Sequence, residues 1–429
     1  MLRFDGLVIS VMPVLLHSSE SFSSEISRRR TKVSSQPTVV ESLDSSDLPS
    51  TQPQISEPQL SEDDFYRSMR QKTPVQFQYF LRDSGLLRAL VDTLTWTTAA
   101  PAIVRQYPDV VARYLFLSGS PRQVVEWANA MWKSKRADPQ VLPLLSNKIN
   151  FRRLKYGRNR RQVIDLISPP STADNADQRT NHFIFFVHGG AWGSGSPDMY
   201  RVVADPFLKR GSTVAVVGYR TYPDGYVTDQ VKDILDSFTT LKEKGLIDDK
   251  TKVTVMGHSS GAHILAMALL SNKELRESVS AFVGLGGVYD IPRHYRYECS
   301  RGVDRISPLA TACGPSAKDQ TIPSLVLQSW KLQSPTRVAQ MAIKLDSFPK
   351  TLICHGERDT VVPRESAISF VDSLQQAVQS TPECIELALL PPTGHVDLIT
   401  EIMFGGKTRD LVMRWMENRG VLGSSDNFF

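Results

Sequence analysis

The sequence predicts an α/β protein whose central sheet is mostly parallel and carries helices on both faces. After Asn150, short β-rich runs recur, such as HFIFFV, STVAVV and KVTVM. Most are separated by stretches with apolar residues three and four apart, as in residues 229–244 and 365–378. Continuous apolar strands that alternate with amphipathic helices are typical of sheets buried on both faces. In such sheets the functional groups collect at the carboxyl ends of the strands.

Three regions follow one another along the 429-residue chain. Residues 1–63 are rich in Ser, Pro, Gln and Glu, and such a segment buries too little apolar surface to fold, so we expect a disordered tail. Residues 64–150 place apolar residues three and four apart, as in FQYFLRDSGLLRALVDTL, which predicts a helical region. Residues 151–429 carry the alternation of strands and helices and form the predicted α/β domain.

The first 16 residues weakly resemble the start of a signal peptide. They combine Arg3 with a short apolar run, but Asp5 and Pro13 interrupt it, and no small-residue cleavage site follows. The longest apolar runs of the chain are far shorter than the roughly 20 residues that a membrane-spanning helix needs. We therefore expect no transmembrane span.

The basic excess of the chain is local. The net charge is +5, and the segment KINFRRLKYGRNRR, residues 148–161, holds seven Lys and Arg residues and no acid. This distribution does not indicate a nucleic-acid interface spread over one face. A solvated face explains the segment, and peripheral contact with an anionic membrane is the alternative.

No metal and no organic cofactor are expected. The four cysteines are scattered without CxxC spacing, and the sequence contains no HExxH motif. A zinc ribbon, a thioredoxin-like redox motif and a zinc-protease site are therefore not predicted.

The run KVTVM is followed by GHSSG, which fits the pattern G-x-S-x-G. A serine on a sharp turn from strand to helix has strained dihedral angles, and side chains two residues away on either side would collide. Gly257 and Gly261 leave that room. The pattern predicts that Ser259 is a nucleophile, exposed at the edge of the sheet in front of a helix N-terminus.

The run HFIFFV is followed by HGGAWGSG. Successive glycines let the backbone approach a substrate and offer N–H groups to an oxyanion. Gly189, Gly190 and Ala191 are the candidate donors, and the N–H of Ser260 is expected to complete the hole. Trp192 either walls the substrate pocket or packs in the core.

The base that a serine nucleophile needs is assigned by elimination among eight histidines. His395 lies in LLPPTGHVDL, on a loop after the last predicted strand, and fits the chain order serine, acid, histidine. The acid should follow the strand KTLIC, where CHGERDTVVP supplies Glu357 and Asp359. Spacing alone leaves both carboxylates open.

Together these motifs resemble the α/β-hydrolase superfamily, and within it the HGGxW branch of carboxylesterases, kynurenine formamidases and isoprenylcysteine methylesterases. The isoprenylcysteine α-carbonyl methylesterase-like proteins are most similar, in blocks such as YGRNRRQVIDLISP, FFVHGGAWGSG, VMGHSSGAH and CHGERDTVVPRESA. The resemblance implies an α/β-hydrolase fold and a triad of Ser259, Asp359 and His395. It also implies substrate contacts at residues 189–192, His258 and Ser260.

The implied activity is cleavage of a carboxylic ester through an acyl-enzyme. The substrate is expected to be a small-molecule or lipidated-cysteine ester, and an arylformamide and a short-acyl ester are the alternative substrates. The alternative to an enzyme is a catalytically silent binding protein that keeps the hydrolase fold. His258 and Ser260 stand where plant-like members tend to have glutamine and alanine. The resemblance implies a cytoplasmic protein or one peripheral to the endoplasmic reticulum and Golgi membranes.

Overall fold

The computed structural model describes residues 150–169, 181–301, 304, 307–315, 323–341, 345–379 and 382–422. The predicted tail, the targeting-like segment and the helical region before Asn150 lie outside the described residues. What the structure does describe is the predicted α/β domain.

One eight-stranded sheet forms the centre of this domain, in the order β1-β2-β4-β3-β5-β6-β7-β8. β2 is antiparallel to both β1 and β4, and every other neighbouring pair is parallel. The prediction of a mostly parallel sheet is therefore confirmed. The strands are β1 (Asn150–Lys155), β2 (Val163–Ser168), β3 (His182–Val187), β4 (Thr213–Val217), β5 (Lys252–His258), β6 (Ala281–Leu285), β7 (Lys350–Gly356) and β8 (Ile385–Leu390).

Twelve α-helices are present in the described part of the chain. They are α1 (Pro197–Tyr200), α2 (Asp205–Leu208), α3 (Val227–Glu243), α4 (Ser260–Ser271), α5 (Lys273–Ser278), α6 (Ile291–Ser300), α7 (Leu309–Ala312), α8 (Pro323–Leu332), α9 (Pro335–Met341), α10 (Glu365–Ala377), α11 (His395–Phe404) and α12 (Lys407–Asn418). Short 3-10 turns cover Arg201–Ala204 and Pro382–Cys384. None of the described helices is long and apolar enough to cross a membrane.

The side chains of the central strands alternate between two hydrophobic cores. In β3, Phe183, Phe185 and Val187 face the core that contains α3, α4, α6 and α10. Ile184 and Phe186 face the other core, with α2, α11 and α12. Because successive strand residues point to opposite faces, a strand that is apolar throughout requires both faces to be covered, as the sequence predicted.

The first strand is a structural feature that the sequence pattern did not reveal. β1 reads NFRRLK and lies at the edge of the sheet, with Arg152 and Lys155 exposed. Arg153 pairs with the buried Asp165 of β2 through bonds of 2.6 and 2.8 Å. Charged side chains on an edge strand prevent it from pairing with other chains. Part of the basic segment thus has a structural explanation within the sheet.

Candidate active site

Ser259 lies on a sharp turn between β5 and α4. Its backbone has φ 55° and ψ −123°, a left-handed conformation that is costly for a residue with a side chain. The Ser259 N–H donates to the carbonyl of Leu285, at the end of β6, over 2.8 Å. Ser259 is partly exposed, whereas His258 and Ser260 on either side are buried. The turn therefore presents one hydroxyl at the carboxyl edge of the sheet.

The two glycines of the motif are needed for different reasons. A Cβ on Gly257 would lie 2.6 Å from the nitrogen of Ala262, at the start of α4. A Cβ on Gly261 would overlap the carbonyl oxygens of Val187 and His188. The collision predicted around Ser259 thus holds for Gly257, while Gly261 lets α4 pack directly on the end of β3.

His395 and Asp359 come together from the ends of adjacent strands. Asp359 follows β7, and His395 is the first residue of α11, after β8. The Nδ1–H of His395 donates to Oδ2 of Asp359 over 2.7 Å, so that Nε2 is left without that proton. Glu357, the other carboxylate that spacing left open, is exposed. The structure thus brings Asp359 to His395.

The carboxylate of Asp359 is completely buried and remains ionised. Burial alone would raise its pKa, but the neighbouring His395 and its hydrogen bond, followed by His355, hold the pKa below its usual value. The other carboxylate oxygen, Oδ1, accepts the N–H groups of Val361 and Val362 over 2.9 and 2.8 Å. These bonds fix the direction of the carboxylate.

The ring of His395 lies beside the strand end that receives Ser259. A Cβ on Gly286, the residue after β6, would lie 3.2 Å from Nδ1 of His395. The preceding residue, Leu285, accepts the Ser259 N–H. Ser259 and His395 thus both lie at the end of β6, one bonded to Leu285 and the other beside Gly286.

His258 is buried and contacts His395. It is 6% exposed, and its Nε2–H donates to the carbonyl of His395 over 3.2 Å. The two ring centroids are 4.9 Å apart. Burial, together with the nearby His395, lowers the pKa of His258 to about 3, so the ring is neutral at neutral pH. The structure therefore places His258 in the protein interior, in contact with His395.

The glycine loop after β3 lies against the Ser259 turn. A Cβ on Gly189 would lie 2.8 Å from the carbonyl of His258 and 3.0 Å from Cβ of Ser259. Gly190 has φ 136°, and Ala191, at the exposed tip of the loop, has φ 49°. Only glycine at position 189 allows this approach of loop and turn.

Trp192, one of the predicted substrate-contacting residues, packs in the core. Its side chain is 1% exposed, and its indole N–H donates to Nδ1 of His263 over 3.0 Å. The other imidazole nitrogen, Nε2, donates to the carbonyl of Gln333 over 2.8 Å. The sequence contained no pattern from which this contact between Trp192 and His263 of α4 could be predicted.

Two further histidines pack around the site. His188 stacks on Tyr219, with ring centroids 4.5 Å apart, and burial lowers its pKa to about 4. His355 donates through Nε2 to the carbonyl of Val362 over 2.9 Å and lies 3.4 Å from Oδ2 of Asp359. In the described ranges, no group of three or more His, Cys, Asp or Glu residues is placed to hold a metal ion.

Residues 165–374 match the BD-FAE family model. Over this range the chain is similar to that family, whose domains are α/β-hydrolases of the HGGxW type. The matched range includes the glycine loop, Ser259 and Asp359, and it ends before His395. The position of His395 therefore rests on the chain order and on its bond to Asp359.

The named relatives of this chain differ in the reactions that their names state. An isoprenylcysteine alpha-carbonyl methylesterase of Arabidopsis thaliana is 29% identical over 269 residues, which cover 60% of this chain and 59% of the relative. Esterase LipC of Mycobacterium tuberculosis is 27% identical over 284 residues, 62% of this chain and 64% of the relative. A kynurenine formamidase of Drosophila melanogaster is 26% identical over 170 residues, which cover 36% of this chain and 55% of the relative.

The chain spans about 60% of the length of the first curated relatives it matches. Among solved structures, esterase B from Lactobacillus rhamnosis is similar, with a TM-score of 0.46 and 14% identity over 70% of this chain and 93% of that one.

Proposed function

We propose that this protein is a serine hydrolase that cleaves a carboxylic ester through an acyl-enzyme intermediate. The observation that carries the proposal is the 2.7 Å bond from Nδ1 of His395 to the buried Asp359. That bond leaves Nε2 of His395 as the acceptor, at the sheet edge where Ser259 is partly exposed. A nucleophile, a base and an oriented carboxylate are the elements that acyl transfer requires.

In the first half of the reaction, Oγ of Ser259 attacks the ester carbonyl and forms the C–O bond. The hydroxyl proton passes to Nε2 of His395, and the carbonyl electron pair moves onto the oxygen. Asp359 stabilises the imidazolium that forms, because it remains a carboxylate. His395 then returns the proton to the leaving alkoxide, which departs as the alcohol.

The developing oxyanion requires donors that are already in place. The backbone N–H groups of residues 189–191 and of Ser260 are the proposed donors. Ser260 is the first residue of α4, so the partial positive charge of the helix N-terminus adds to its N–H. In the second half, water attacks the acyl-enzyme, and His395 removes its proton before returning it to Ser259.

A prenylcysteine methyl ester is the proposed substrate class. Support comes from the methylesterase, which is 29% identical over an alignment that covers 60% of this chain. A formamide is the second candidate, supported by the kynurenine formamidase match over 36% of the chain. Formamide and ester hydrolysis pass through the same kind of tetrahedral intermediate, so the triad alone does not separate the two.

Two expectations accompany this proposal. Residues 151–429 act as the catalytic domain, and the exposed charges of β1 and of the turn after it, Arg152, Lys155 and Arg158, can contact an anionic membrane. Membrane contact would suit a lipidated substrate. Sedimentation with vesicles that contain phosphatidylserine tests it, and binding unchanged in a triple alanine variant would contradict it.

Initial rates on two substrates test the function. Purified protein is assayed on S-farnesylcysteine methyl ester and on N-formylkynurenine, beside Ser259→Ala. Serine-dependent preference for the methyl ester supports the proposal. Serine-dependent preference for the formamide favours the second candidate, and turnover that survives Ser259→Ala contradicts the mechanism.

A further inference from the structure

The glycine loop is strained where it must present its N–H groups. Ala191 and Trp192 follow each other with φ 49° and 61°, after Gly190 at 136°. Residues with side chains rarely adopt this left-handed conformation, and it persists only where the surrounding structure holds it. The loop therefore needs a contact that holds it, and Trp192 is the loop residue whose side chain is buried in the core.

Three hydrogen bonds converge on Trp192. The indole N–H donates to Nδ1 of His263 over 3.0 Å, and the two rings meet edge to face, with centroids 5.4 Å apart. The Trp192 carbonyl accepts the N–H of Tyr222 and the side-chain amide of Gln230, each over 2.8 Å. Both ends of the residue are thus fixed.

His263 is held in the tautomer that accepts a hydrogen bond from the indole N–H of Trp192. Its Nε2–H donates to the carbonyl of Gln333 over 2.8 Å, which leaves Nδ1 as an acceptor facing Trp192. Burial lowers the pKa of His263 to about 4, so this neutral tautomer is populated at neutral pH. A protonated ring would present an N–H to the indole N–H and lose the bond.

The chain of contacts continues into the segments above the loop. The side-chain amide of Gln333 donates to the carbonyl of Cys313 over 2.9 Å. Pro308 of the same segment lies against the loop, since a Cβ on Gly193 would be 3.0 Å from its Cγ. The loop is therefore contacted both by α4, through His263, and by the segment of residues 308–313, through Pro308.

We propose that Trp192 and His263 are positioning residues that hold the glycine loop in the geometry of an oxyanion hole. The proposal rests on the proposed function, in which residues 189–191 and Ser260 supply the donors. Ser260 and His263 lie on α4 within one turn of each other. One helix thus aligns both halves of the hole, directly through the N–H of Ser260 and through Trp192 for the loop.

Trp192→Phe tests the role because it keeps an aromatic ring while it removes the indole N–H and the five-membered ring that carries it; the same loss of volume occurs in the control variant. Trp415→Phe is the matched control: Trp415 donates its indole N–H to Glu386 over 2.6 Å and packs in the core on the other face of the sheet. We expect kcat to fall about 10- to 100-fold in Trp192→Phe, less than the loss of a whole donor, with KM within about threefold. Trp415→Phe should keep the wild-type kcat.

A trifluoromethyl ketone analogue of the substrate supplies a readout that a merely structural role would not move. It forms an anionic adduct with the serine, so its inhibition constant should weaken in Trp192→Phe by the same factor as kcat/KM falls. Wild-type kcat in Trp192→Phe, or a lowered kcat with an unchanged inhibition constant, overturns the proposal.

A second pair of variants decides the matter if Trp192→Phe does not fold. His263→Gln can supply one acceptor and one donor, whereas His263→Leu supplies neither. We expect His263→Gln to retain most of kcat and His263→Leu to lose it; equal rates in folded His263→Gln and His263→Leu overturn the proposal. A wild-type protein that turns over no ester or formamide contradicts the proposed function as well, whereas an active enzyme with unaffected variants contradicts this inference alone.

Discussion

The two halves of the candidate active site are held in different ways. On one side, Ser259, Ala191 and Trp192 all have positive φ, and close packing of glycines and buried rings keeps them there. On the other side, Asp359 and His395 are held by a charge and its hydrogen bonds. The first half should thus respond to added volume, and the second to lost charge.

The largest expected effect breaks the charged half. Asp359→Asn should lower kcat by about 10³- to 10⁴-fold, because an amide neither selects the correct tautomer of His395 nor stabilises the imidazolium. Steady-state kinetics on a p-nitrophenyl ester measure it. Glu357→Gln, two residues away and exposed, is the control and should stay near the wild-type rate; similar losses in the two variants would contradict the assignment of Asp359.

Added volume should break the packed half. Gly261→Ala places a Cβ within 2.5 Å of the His188 carbonyl and should lower the free energy of unfolding by about 3 kcal/mol. Gly245→Ala is matched to it: φ is +63° and no atom lies within 4 Å of the added Cβ, so only backbone strain of about 1 kcal/mol is expected. Urea unfolding compares them, and equal losses would mean that packing at Gly261 is not the constraint.

Lowering the pH should destabilise the half of the site that contains Ser259 and the glycine loop, because buried neutral histidines adjoin it. The folded-state pKa of His258 is about 3 and that of His188 about 4, each lowered by burial. Below pH of about 6.5 the unfolded chain binds protons that the folded chain does not, so their contribution is lost as pH falls toward 4.

Each such histidine should add a slope of about 1.4 kcal/mol per pH unit to the unfolding free energy below its unfolded pKa. Urea midpoints measured between pH 7 and pH 5 should therefore decrease. In His188→Gln the unfolding free energy should depend less steeply on pH, by about 1.4 kcal/mol per pH unit, because one buried histidine is removed. A slope identical to that of the wild type would show that His188 is protonated in the folded protein.

The smallest effect concerns the bond that joins the two halves. His258→Leu removes the donor to the His395 carbonyl and should lower kcat about 10-fold, the value of one buried hydrogen bond. His258→Gln keeps a donor and should restore most of that loss. If both variants reduce kcat equally, the contact does not position His395.

Local sequence encoded the strained half of the site more completely than the charged half. The glycines around Ser259 and after β3 have steric reasons that act within a few residues, so both turns could be predicted. The choice between Glu357 and Asp359 could not be made from spacing, because both follow β7. The parallel pairing of β7 with β8 brings only Asp359 to His395.

Contacts between distant segments were beyond sequence reasoning. His258 and His395 are 137 residues apart, and Trp192 and His263 are 71 apart. Nothing local indicates that either ring is buried against the other segment. β1 was missed for a different reason: an edge strand with charged residues lacks the apolar run by which the other strands were recognised.

The most direct test of the central claim is covalent labelling of Ser259. Diethyl p-nitrophenyl phosphate phosphorylates an activated serine with loss of p-nitrophenol, and the adduct is located by peptide mass spectrometry. One diethylphosphoryl group on the peptide that contains Ser259, absent from Ser259→Ala and strongly slowed in Asp359→Asn, is the predicted result. Labelling of another residue, or an unmodified Ser259 in folded protein, would contradict the account.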